Sequence, residues 1–349
     1  MPEPRRTVRR KVNYFRIFYV AMIFLIFILM IYGVAKILST SEKEAVANKA
    51  AAEKNAEKIY IELETQVPTM PPLEPPQKSD DYTELGSDIV SEVGLIVNVT
   101  DGEIIAGKNP DARIYPASMT KIMTLIVGVE NMTSMTDTFT MTHEILEPLV
   151  NADASMAGFE DGETVTVRDM LYGTVLPSGA DATVGLSLKL CGSEKAFVEL
   201  MNKKAEEMGL ENTHFENSSG LHHQNHYTTP KEMAMILEYA MQSDICRTIL
   251  STYEYTTSPT TQHPEGLVLH STMFSKMYGN EVQGAQIIGG KTGFTDEAGH
   301  CLATFGTKNN KEYITITGKS YSAWKSVYDA FNLYALYISP QTEIVITPE

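Results

Sequence analysis

The order of secondary-structure signals along the chain predicts an α+β domain. A β-rich segment lies near residue 93, helical patterns then dominate to about residue 249, and β-rich segments return from about residue 282 before a last amphipathic helix. Elements in this order form a sheet that is assembled from both ends of the domain, with a helical region inserted between them. We therefore expect an antiparallel sheet flanked by helices, together with a helical subdomain.

The first predicted elements form a β-hairpin. Two β-rich runs, VGLIVNV and EIIAGKN, flank the dipeptide Asp101-Gly102. Asp and Gly tolerate the positive φ angles that tight hairpin turns require. The folded domain, residues 85–349, is expected to begin at Leu85, shortly before this hairpin.

A largely buried helix is predicted after Pro116-Ala117, because SMTKIMTLIVGVE is apolar at near-helical spacing and places Ser118 in the first turn. Other segments have helical patterns: VRDMLYGTVL, DATVGLSLKL, AFVELMNKKAEEMG and PKEMAMILEYAM. Three β-rich runs follow, AQIIGGKTGF, HCLATFGT and EYITITGK, and the helix SAWKSVYDAFNLYALY comes last.

Residues 19–36 are predicted to form one transmembrane helix. The run carries no charge before Lys36 and, at about 1.5 Å per residue, nearly crosses a bilayer's hydrocarbon core. The basic tail, residues 1–18, favours a cytoplasmic N-terminus, so the rest of the chain is expected outside. A cleaved signal peptide is the alternative, since Ala45 and Ala47 form an A-x-A-like site, but its apolar region would be unusually long.

Residues 37–84 are predicted to form a stalk and a linker. The first part is rich in Ala, Glu and Lys, which favours a solvated helix with little apolar surface to bury. The proline-rich segment VPTMPPLEPPQKSDD follows and favours an extended linker.

Composition excludes several classes of protein. With 43% hydrophobic residues the chain is not a disordered protein, and its net charge of −16 argues against nucleic acid as a partner. Cys191, Cys246 and Cys301 are scattered and odd in number, so they predict neither a disulfide framework nor a metal site. We expect buried thiols.

The tetrad Ser118-Met119-Thr120-Lys121 can support nucleophilic catalysis. A serine hydroxyl is a poor nucleophile at neutral pH and needs a nearby base and donors for an oxyanion. On a helix, Lys121 lies on the same face as Ser118, and burial would lower the pKa of its amine toward that of a usable base. Alone, such a tetrad more often marks a helix cap followed by a solvated lysine.

Two further motifs make catalysis the better interpretation. Ser178-Gly179-Ala180 is predicted in a turn after an apolar helix, and Lys291-Thr292-Gly293 is predicted on a strand. Their order after the Ser-x-x-Lys tetrad matches the three motifs of penicillin-interacting serine enzymes.

With these motifs, residues 86–338 resemble the low-molecular-mass D-alanyl-D-alanine carboxypeptidases, penicillin-binding proteins of peptidase family S11. The resemblance includes RIYPASMTKIMT, DGETVTVRDMLYGTVLPSGADA, MGLENTHFENSSGLHHQNHYTT and IIGGKTGFTDEAGHCLA. It implies a β-lactamase/transpeptidase-like fold and removal of the terminal D-alanine from peptidoglycan stem pentapeptides. It also implies covalent inhibition by β-lactams and a place on the outer side of the bacterial cytoplasmic membrane.

The resemblance implies catalytic roles for three residues. Ser118 would be the acylated nucleophile, Lys121 its proton acceptor, and Ser178 a hydroxyl that relays a proton toward the departing D-alanine. No metal and no cofactor is implied.

The third motif is implied to bind substrate. Lys291 would tune the charge of the site, and Thr292 would help to hold the terminal carboxylate beside Gly293. The amide groups of Phe294 and Ser118 would form the oxyanion hole.

One position departs from the family, whose second motif is usually Ser-x-Asn. Here Ala180 takes the place of the Asn, and losing one such polar contact costs on the order of 1–3 kcal/mol, so weaker catalysis is expected. The adjacent Asp181 fits the family and is expected to be structural.

Other polar residues have plainer interpretations. His222, His223 and His226 could suggest zinc, but they lie in a loop-like segment without a His-Glu-x-x-His pattern, so we predict no metal site. Lys319 and Lys325 could meet the terminal carboxylate or could be solvated surface lysines.

Several alternative functions are compatible with this fold. A non-catalytic wall scaffold would be indicated if Ser118 cannot be acylated. A β-lactamase would need a deacylating base such as a loop glutamate, for which the sequence offers no convincing candidate. Endopeptidase or transpeptidase activity would use the same acyl-enzyme.

Family members often carry a C-terminal β-rich domain. In its place, we expect the N-terminal anchor and stalk to hold the active site above the membrane.

Overall fold

The structure is a computed structural model that describes residues 73–277 and 279–338. The predicted basic tail, the transmembrane segment and the stalk as far as residue 72 lie outside the described residues. Within the described ranges, no helix combines the length and the apolar character needed to cross a membrane.

The strands are β1 Gln77–Glu84, β2 Val93–Asn98, β3 Glu103–Lys108, β4 Thr138–Thr140, β5 Thr164–Thr166, β6 Glu254–Thr256, β7 Val268–His270, β8 Glu281–Val282, β9 Ala285–Thr295, β10 Gly299–Lys308 and β11 Lys311–Ser320. The helices are α1 Lys121–Asn131, α2 His143–Asn151, α3 Val167–Val175, α4 Ala180–Cys191, α5 Glu194–Glu207, α6 Pro230–Gln242, α7 Asp244–Leu250 and α8 Ala323–Leu336.

A seven-stranded sheet joins the two ends of the described domain, as predicted. Its spatial order is β1-β3-β2-β11-β10-β9-β8, so the N-terminal hairpin meets the C-terminal strands where β2 pairs with β11. The turn at Asp101-Gly102 joins β2 to β3 in the predicted hairpin. Every residue of β2 is buried. Because successive side chains of a strand point to opposite faces, both faces of the sheet are covered here.

Strand β1 corrects two expectations. It pairs with β3 in parallel, so the sheet is mixed and not purely antiparallel. It also lies in the segment predicted as linker, and the sheet therefore includes residues before Leu85. The strand is polar and largely exposed. An edge strand of this kind pairs through its backbone groups and needs no alternating apolar pattern, which is why the sequence did not reveal it.

The helix after Ser118 is the centre of the helical region. It starts as a short 3-10 turn, Ala117–Thr120, and continues as α1, in which nine consecutive residues from Lys121 to Val129 are buried. Helices α3, α4, α5 and α6 pack around it. A helix that is apolar on all sides must be enclosed in this way, so α1 holds the start of the catalytic motif inside the domain.

The last helix, α8, packs on β10 and β11. Its Asp329 carboxylate accepts hydrogen bonds from the backbone amides of Val90 and Ser91 at 3.1 and 2.7 Å. Through these hydrogen bonds, the buried carboxylate holds the segment before β2 against the C-terminal helix. This contact links the two ends of the domain in addition to the sheet.

Candidate active site

The predicted site residues meet at one cavity of about 650 Å³, between the sheet and the helical region. Six of them line it: Ser118, Lys121, Ser178, Thr292, Gly293 and Phe294. Lys291 does not line the cavity but lies buried beside it, 1% exposed. The three motifs, which are far apart in the sequence, therefore converge as predicted.

Ser118 lies in a tight turn that two other segments enclose. Its neighbour Ala117 has a φ of +47°, in the left-handed region. A side chain on Gly293 of β9 would lie 3.1 Å from the Ser118 amide nitrogen, and one on Gly220 would lie 2.0 Å from the Ala117 carbonyl oxygen. Only glycine permits such close approach, so the third motif and the 217–221 loop press against the nucleophile's backbone from two directions.

The Lys121 amine is placed to act on Ser118. Its Nζ lies 3.0 Å from the Ser118 Oγ and donates to the Ser219 carbonyl oxygen at 2.6 Å. The side chain is 2% exposed. Burial lowers the pKa of Lys121 to about 7, although the negative charges of Asp181 and Glu194 act in the opposite direction. The lysine can therefore be neutral near physiological pH, as a general base must be.

The loop behind Lys121 is held by residues outside the three motifs. Asn217 Oδ1 accepts the backbone N–H groups of Gly220 and Leu221 at 2.7 and 3.1 Å. Glu194 accepts the Ser218 amide at 3.0 Å and the Ser218 hydroxyl at 2.6 Å. Glu194 was not anticipated from the sequence, because no local pattern marks a residue whose partner lies on a distant loop.

Ser178 occupies the turn between α3 and α4 with a φ of +66°. Its side-chain oxygen is buried and has no hydrogen-bond partner among the described residues, although it faces the cavity that Ser118 lines. A strained backbone and an unpaired buried hydroxyl both cost free energy, and both are typical of functional sites. The hydroxyl is thus available to a substrate.

Ala180 lines the same cavity and brings only a methyl group to it. Its backbone N–H donates to the Ser155 carbonyl oxygen at 2.7 Å. The neighbouring Asp181 is fully buried and accepts backbone N–H groups from Ala157, Gly158 and Phe159 at 2.7 to 3.2 Å. Asp181 therefore holds the 157–159 segment beside the second motif, in agreement with its predicted structural role.

The third motif carries a buried amine and a hydroxyl pair. Lys291 donates to the Thr292 carbonyl oxygen at 3.1 Å. Burial first, then the positive charges of Lys121 and Lys276, hold the pKa of Lys291 well below its usual range. Thr292 Oγ1 lies 2.9 Å from the Thr272 Oγ1. The half-buried Lys276 donates to the Thr272 carbonyl at 3.2 Å and also lines the cavity.

Lys276 and Thr272 were not anticipated, because they belong to a segment without a recognisable pattern. The two lysines proposed as carboxylate ligands, Lys319 and Lys325, do not line the cavity formed by the described residues. Lys319 lies 3.8 Å from a Glu92 carboxylate oxygen. Among the described residues, the lysine from outside the three motifs that lines the cleft is instead Lys276.

Phe294 follows the third motif and is 52% exposed at the rim of the cavity. Its ring stacks on His300 with a centroid separation of 4.3 Å. Its Cα pairs with that of His300 across β9 and β10. The ring therefore shapes the rim, while the proposed oxyanion function belongs to the backbone of the same residue.

The three loop histidines take different positions. His226 is buried, with its Nε2 2.8 Å from the Thr120 Oγ1 and its Nδ1 accepting the Glu216 amide at 3.3 Å. Burial lowers the pKa of His226 to about 3, so it stays neutral and supports the turn that carries Ser118. His222 lines the cavity. Within residues 73–277 and 279–338, no three His, Cys, Asp or Glu side chains group as metal ligands.

This arrangement can perform acyl transfer. A serine hydroxyl lies beside an amine that can be neutral, and two further hydroxyls, those of Ser178 and Thr292, line the same cleft. The Ser118 amide lies directly against β9, where backbone donors for an oxyanion are expected. These parts correspond to nucleophile, base, proton relay and oxyanion donors.

Comparison with known proteins agrees with this chemistry. Residues 79–319 match the sequence profile of the D-alanyl-D-alanine carboxypeptidase family, peptidase family S11. The chain is 32% identical over 222 residues to D-alanyl-D-alanine carboxypeptidase DacF of Bacillus subtilis, covering 64% of this chain and 55% of that protein. It is 32% identical over 228 residues to a D-alanyl-D-alanine carboxypeptidase of Streptomyces sp. K15, covering 63% of this chain and 78% of the relative.

Solved structures show the same fold. The Streptomyces K15 DD-transpeptidase superposes with a TM-score of 0.64 at 30% identity, over 72% of this chain and 97% of that one. Penicillin binding protein 5 from Haemophilus influenzae superposes with a TM-score of 0.62 at 27% identity, over 70% of each chain. The α+β, transpeptidase-like fold is thereby confirmed. The chain belongs to the D-alanyl-D-alanine carboxypeptidase family of serine peptidases.

Proposed function

We propose that this protein is a serine D-alanyl-D-alanine carboxypeptidase that removes the terminal D-alanine from peptidoglycan stem peptides. The observation that carries the proposal is the 3.0 Å approach of Lys121 Nζ to Ser118 Oγ, with the pKa of the buried lysine lowered to about 7. Family membership supports the choice of substrate. This chain spans only about half the length of DacF, so the activity of that relative is carried over to this chain as part of the proposal.

The reaction proceeds through an acyl-enzyme. Ser118 Oγ attacks the carbonyl carbon of the penultimate D-alanine while its proton passes to neutral Lys121. The oxyanion forms against the backbone at the Ser118 turn and β9. When the C–N bond breaks, the leaving amine takes up a proton by way of Ser178. Water then attacks the ester and releases the shortened peptide and free Ser118.

The terminal carboxylate of the substrate is bound by a cation and two hydroxyls. Thr292 and Thr272 present hydroxyl oxygens 2.9 Å apart, and Lys276 lies next to them at the wall of the cleft. No carboxylate of the described residues lies within ion-pair distance of Lys276. A half-buried cation without an acidic partner is suited to an anionic ligand, which gives the site its preference for a free C-terminus.

The first experiment measures D-alanine release from diacetyl-Lys-D-Ala-D-Ala by the purified full-length protein. Release should be lost in Ser118→Ala and after penicillin treatment. An intact wild-type protein that releases no D-alanine would contradict the proposal. Labelling by a fluorescent penicillin without D-alanine release would favour a scaffold, and rapid nitrocefin turnover would favour a β-lactamase. Cleavage of cross-linked peptides would favour an endopeptidase, and peptide transfer to an amine would favour a transpeptidase.

A second experiment tests the carboxylate site. Lys276→Met should raise KM for this peptide roughly tenfold to a hundredfold with little change in kcat, because a charge-assisted contact to the ground state is lost. The control Lys325→Met should leave KM unchanged. A peptide amidated at its C-terminus lacks the carboxylate, so wild type and Lys276→Met should process it equally poorly. If the two proteins still differ in KM for this peptide, Lys276 does not contact the substrate carboxylate.

The proposal extends to location. Residues 19–36 would anchor the protein in the bacterial cytoplasmic membrane, with the catalytic domain outside the membrane, as hydropathy and the preceding basic residues support. Deletion of residues 1–72, which spares β1, should move activity from the membrane fraction to the soluble fraction. Activity that stays with the membrane would argue against this anchor.

A further inference from the structure

The base of the proposed reaction depends on a carbonyl group that belongs to none of the three motifs. Lys121 donates to the Ser219 carbonyl at 2.6 Å. A neutral amine has two N–H donors and one lone pair, so an N–H directed to Ser219 helps to turn the lone pair toward Ser118. The position of the Ser219 carbonyl therefore affects how well Lys121 accepts the Ser118 proton.

Glu194, the first residue of α5, holds the residue that precedes that carbonyl. Its carboxylate accepts both the backbone amide and the hydroxyl of Ser218, at 3.0 and 2.6 Å, one residue before Ser219. The Ser218 carbonyl accepts the Thr124 hydroxyl of α1 at 2.6 Å. Ser218 and Ser219 are buried at 0% and 3% exposure. Ser218 is thus held by both α1 and α5, and the next peptide, whose Ser219 carbonyl contacts Lys121, has its Gly220 N–H bound by Asn217 Oδ1 at 2.7 Å.

A capping role in α5 does not account for Glu194. The N-cap of this helix is Ser193, whose hydroxyl accepts the Ala196 amide at 3.1 Å. The Glu194 carboxylate instead reaches across to the loop behind the active site. Its charge is also one of two that favour the protonated form of Lys121, the other being that of Asp181 on α4.

We propose that Glu194 is a positioning residue for catalysis, which holds Ser218 in place and thereby keeps the Ser219 carbonyl against Lys121. This inference rests on the proposed function of Ser118 and Lys121.

The charged and titratable groups around Lys121 determine the sign of the effect. The negative charges of Asp181 and Glu194 favour the protonated form of Lys121. The other titratable neighbours, Lys291 on β9 and the neutral His226 on the loop, carry no negative charge and so do not favour it. Lys121 must lose its proton to serve as base, so activity rises as pH rises through its pKa. Removing the charge of Glu194 lowers that pKa, and the rise should then occur at lower pH.

The test compares Glu194→Gln and Glu194→Ala with wild type in the full-length protein. Both D-alanine release and acylation by a fluorescent penicillin are measured from pH 5 to about 9, a range that brackets the pKa of the buried lysine. Glu194→Gln keeps an oxygen for Ser218 but no charge. It should retain kcat on the alkaline plateau while the acidic limb of kcat/KM moves to lower pH. Glu194→Ala also loses the two hydrogen bonds to Ser218, so its kcat on the alkaline plateau should fall roughly tenfold to a hundredfold.

Glu199→Gln serves as the matched control, because it removes a negative charge from an exposed position of the same helix. Its profile should coincide with that of wild type. The inference is overturned if the acidic limb of Glu194→Gln does not move, or if Glu194→Ala keeps the wild-type plateau. Should Glu194→Ala fail to fold, the Glu194→Gln profile alone decides. A wild-type protein that neither releases D-alanine nor is acylated would instead overturn the proposed function, and this inference with it.

Discussion

The two sides of the cleft differ in how completely their polar groups are satisfied. On the side of the first motif, Lys121 has two partners and the turn of Ser118 is enclosed by Gly220 and Gly293. On the side of the second motif, the Ser178 hydroxyl has no partner among the described residues, and Ala180 offers only a methyl group. The nucleophile side is preorganised, whereas the other side depends on the substrate to complete it.

This difference suggests how the protein can tolerate the missing Asn of the second motif. Formation of the acyl-enzyme requires a fixed geometry between nucleophile, base and oxyanion donors, and the nucleophile and the base already lie 3.0 Å apart without substrate. In the proposed reaction, by contrast, the Ser178 hydroxyl finds its partner only in the substrate, so contacts on this side can be weakened one at a time. Substitutions on the two sides should therefore have different magnitudes and different effects on stability.

The largest effect is expected for Lys121→Met, which replaces the base with an apolar side chain of similar length. Because the proton of Ser118 then has no acceptor, the rate of penicillin acylation should fall roughly a thousandfold. Acylation can be followed by stopped-flow fluorescence or gel labelling. Met avoids the cost of a buried amine but leaves the Ser219 carbonyl without its donor, so the melting temperature should change little. A folded variant that is still acylated at near wild-type rates would refute the assignment of the base.

Gly220→Ala tests the enclosure of the nucleophile turn. A methyl group at this position would lie 2.0 Å from the Ala117 carbonyl oxygen, at a φ of +84°. Steric overlap and backbone strain together should lower the free energy of unfolding by about 2–4 kcal/mol, as measured by urea denaturation. Gly192→Ala is the control, since its φ is +72° but no atom lies within 4 Å. It should cost only about 1 kcal/mol. Equal losses in the two variants would mean that strain alone, and not the enclosure, accounts for the effect.

Ser178→Ala should separate activity from stability. The hydroxyl makes no hydrogen bond to a described residue, so its removal should leave the free energy of unfolding unchanged or slightly higher. Loss of the proton relay should lower kcat roughly a hundredfold. The control Ser187→Ala removes a buried hydroxyl that donates to the Thr183 carbonyl at 2.9 Å. It should cost about 1 kcal/mol of stability without loss of activity. A clear destabilisation by Ser178→Ala would indicate a structural role for this serine.

The sequence predicted features that depend on local patterns. The hairpin at Asp101-Gly102, the buried α1 and the three motifs each carry their signal within a few neighbouring residues. Features that depend on backbone pairing or on partners far apart were missed. Strand β1 is polar and pairs through its backbone. Glu194 and Lys276 reach the site only because the fold brings their segments to it.

The smallest effect is expected for Ala180→Asn, which restores the usual residue of the family's second motif. The position lines the cavity but is only 2% exposed, so the new amide must extend into the cleft toward the substrate. One added contact in the transition state should raise kcat/KM by about threefold to tenfold, equivalent to roughly 1 kcal/mol. The gain should appear with the peptide substrate and be absent in the Ser118→Ala background. If kcat/KM falls instead, the cleft requires a small residue at position 180. The replacement of the usual Asn by Ala180 then indicates a different substrate and not a weakened site.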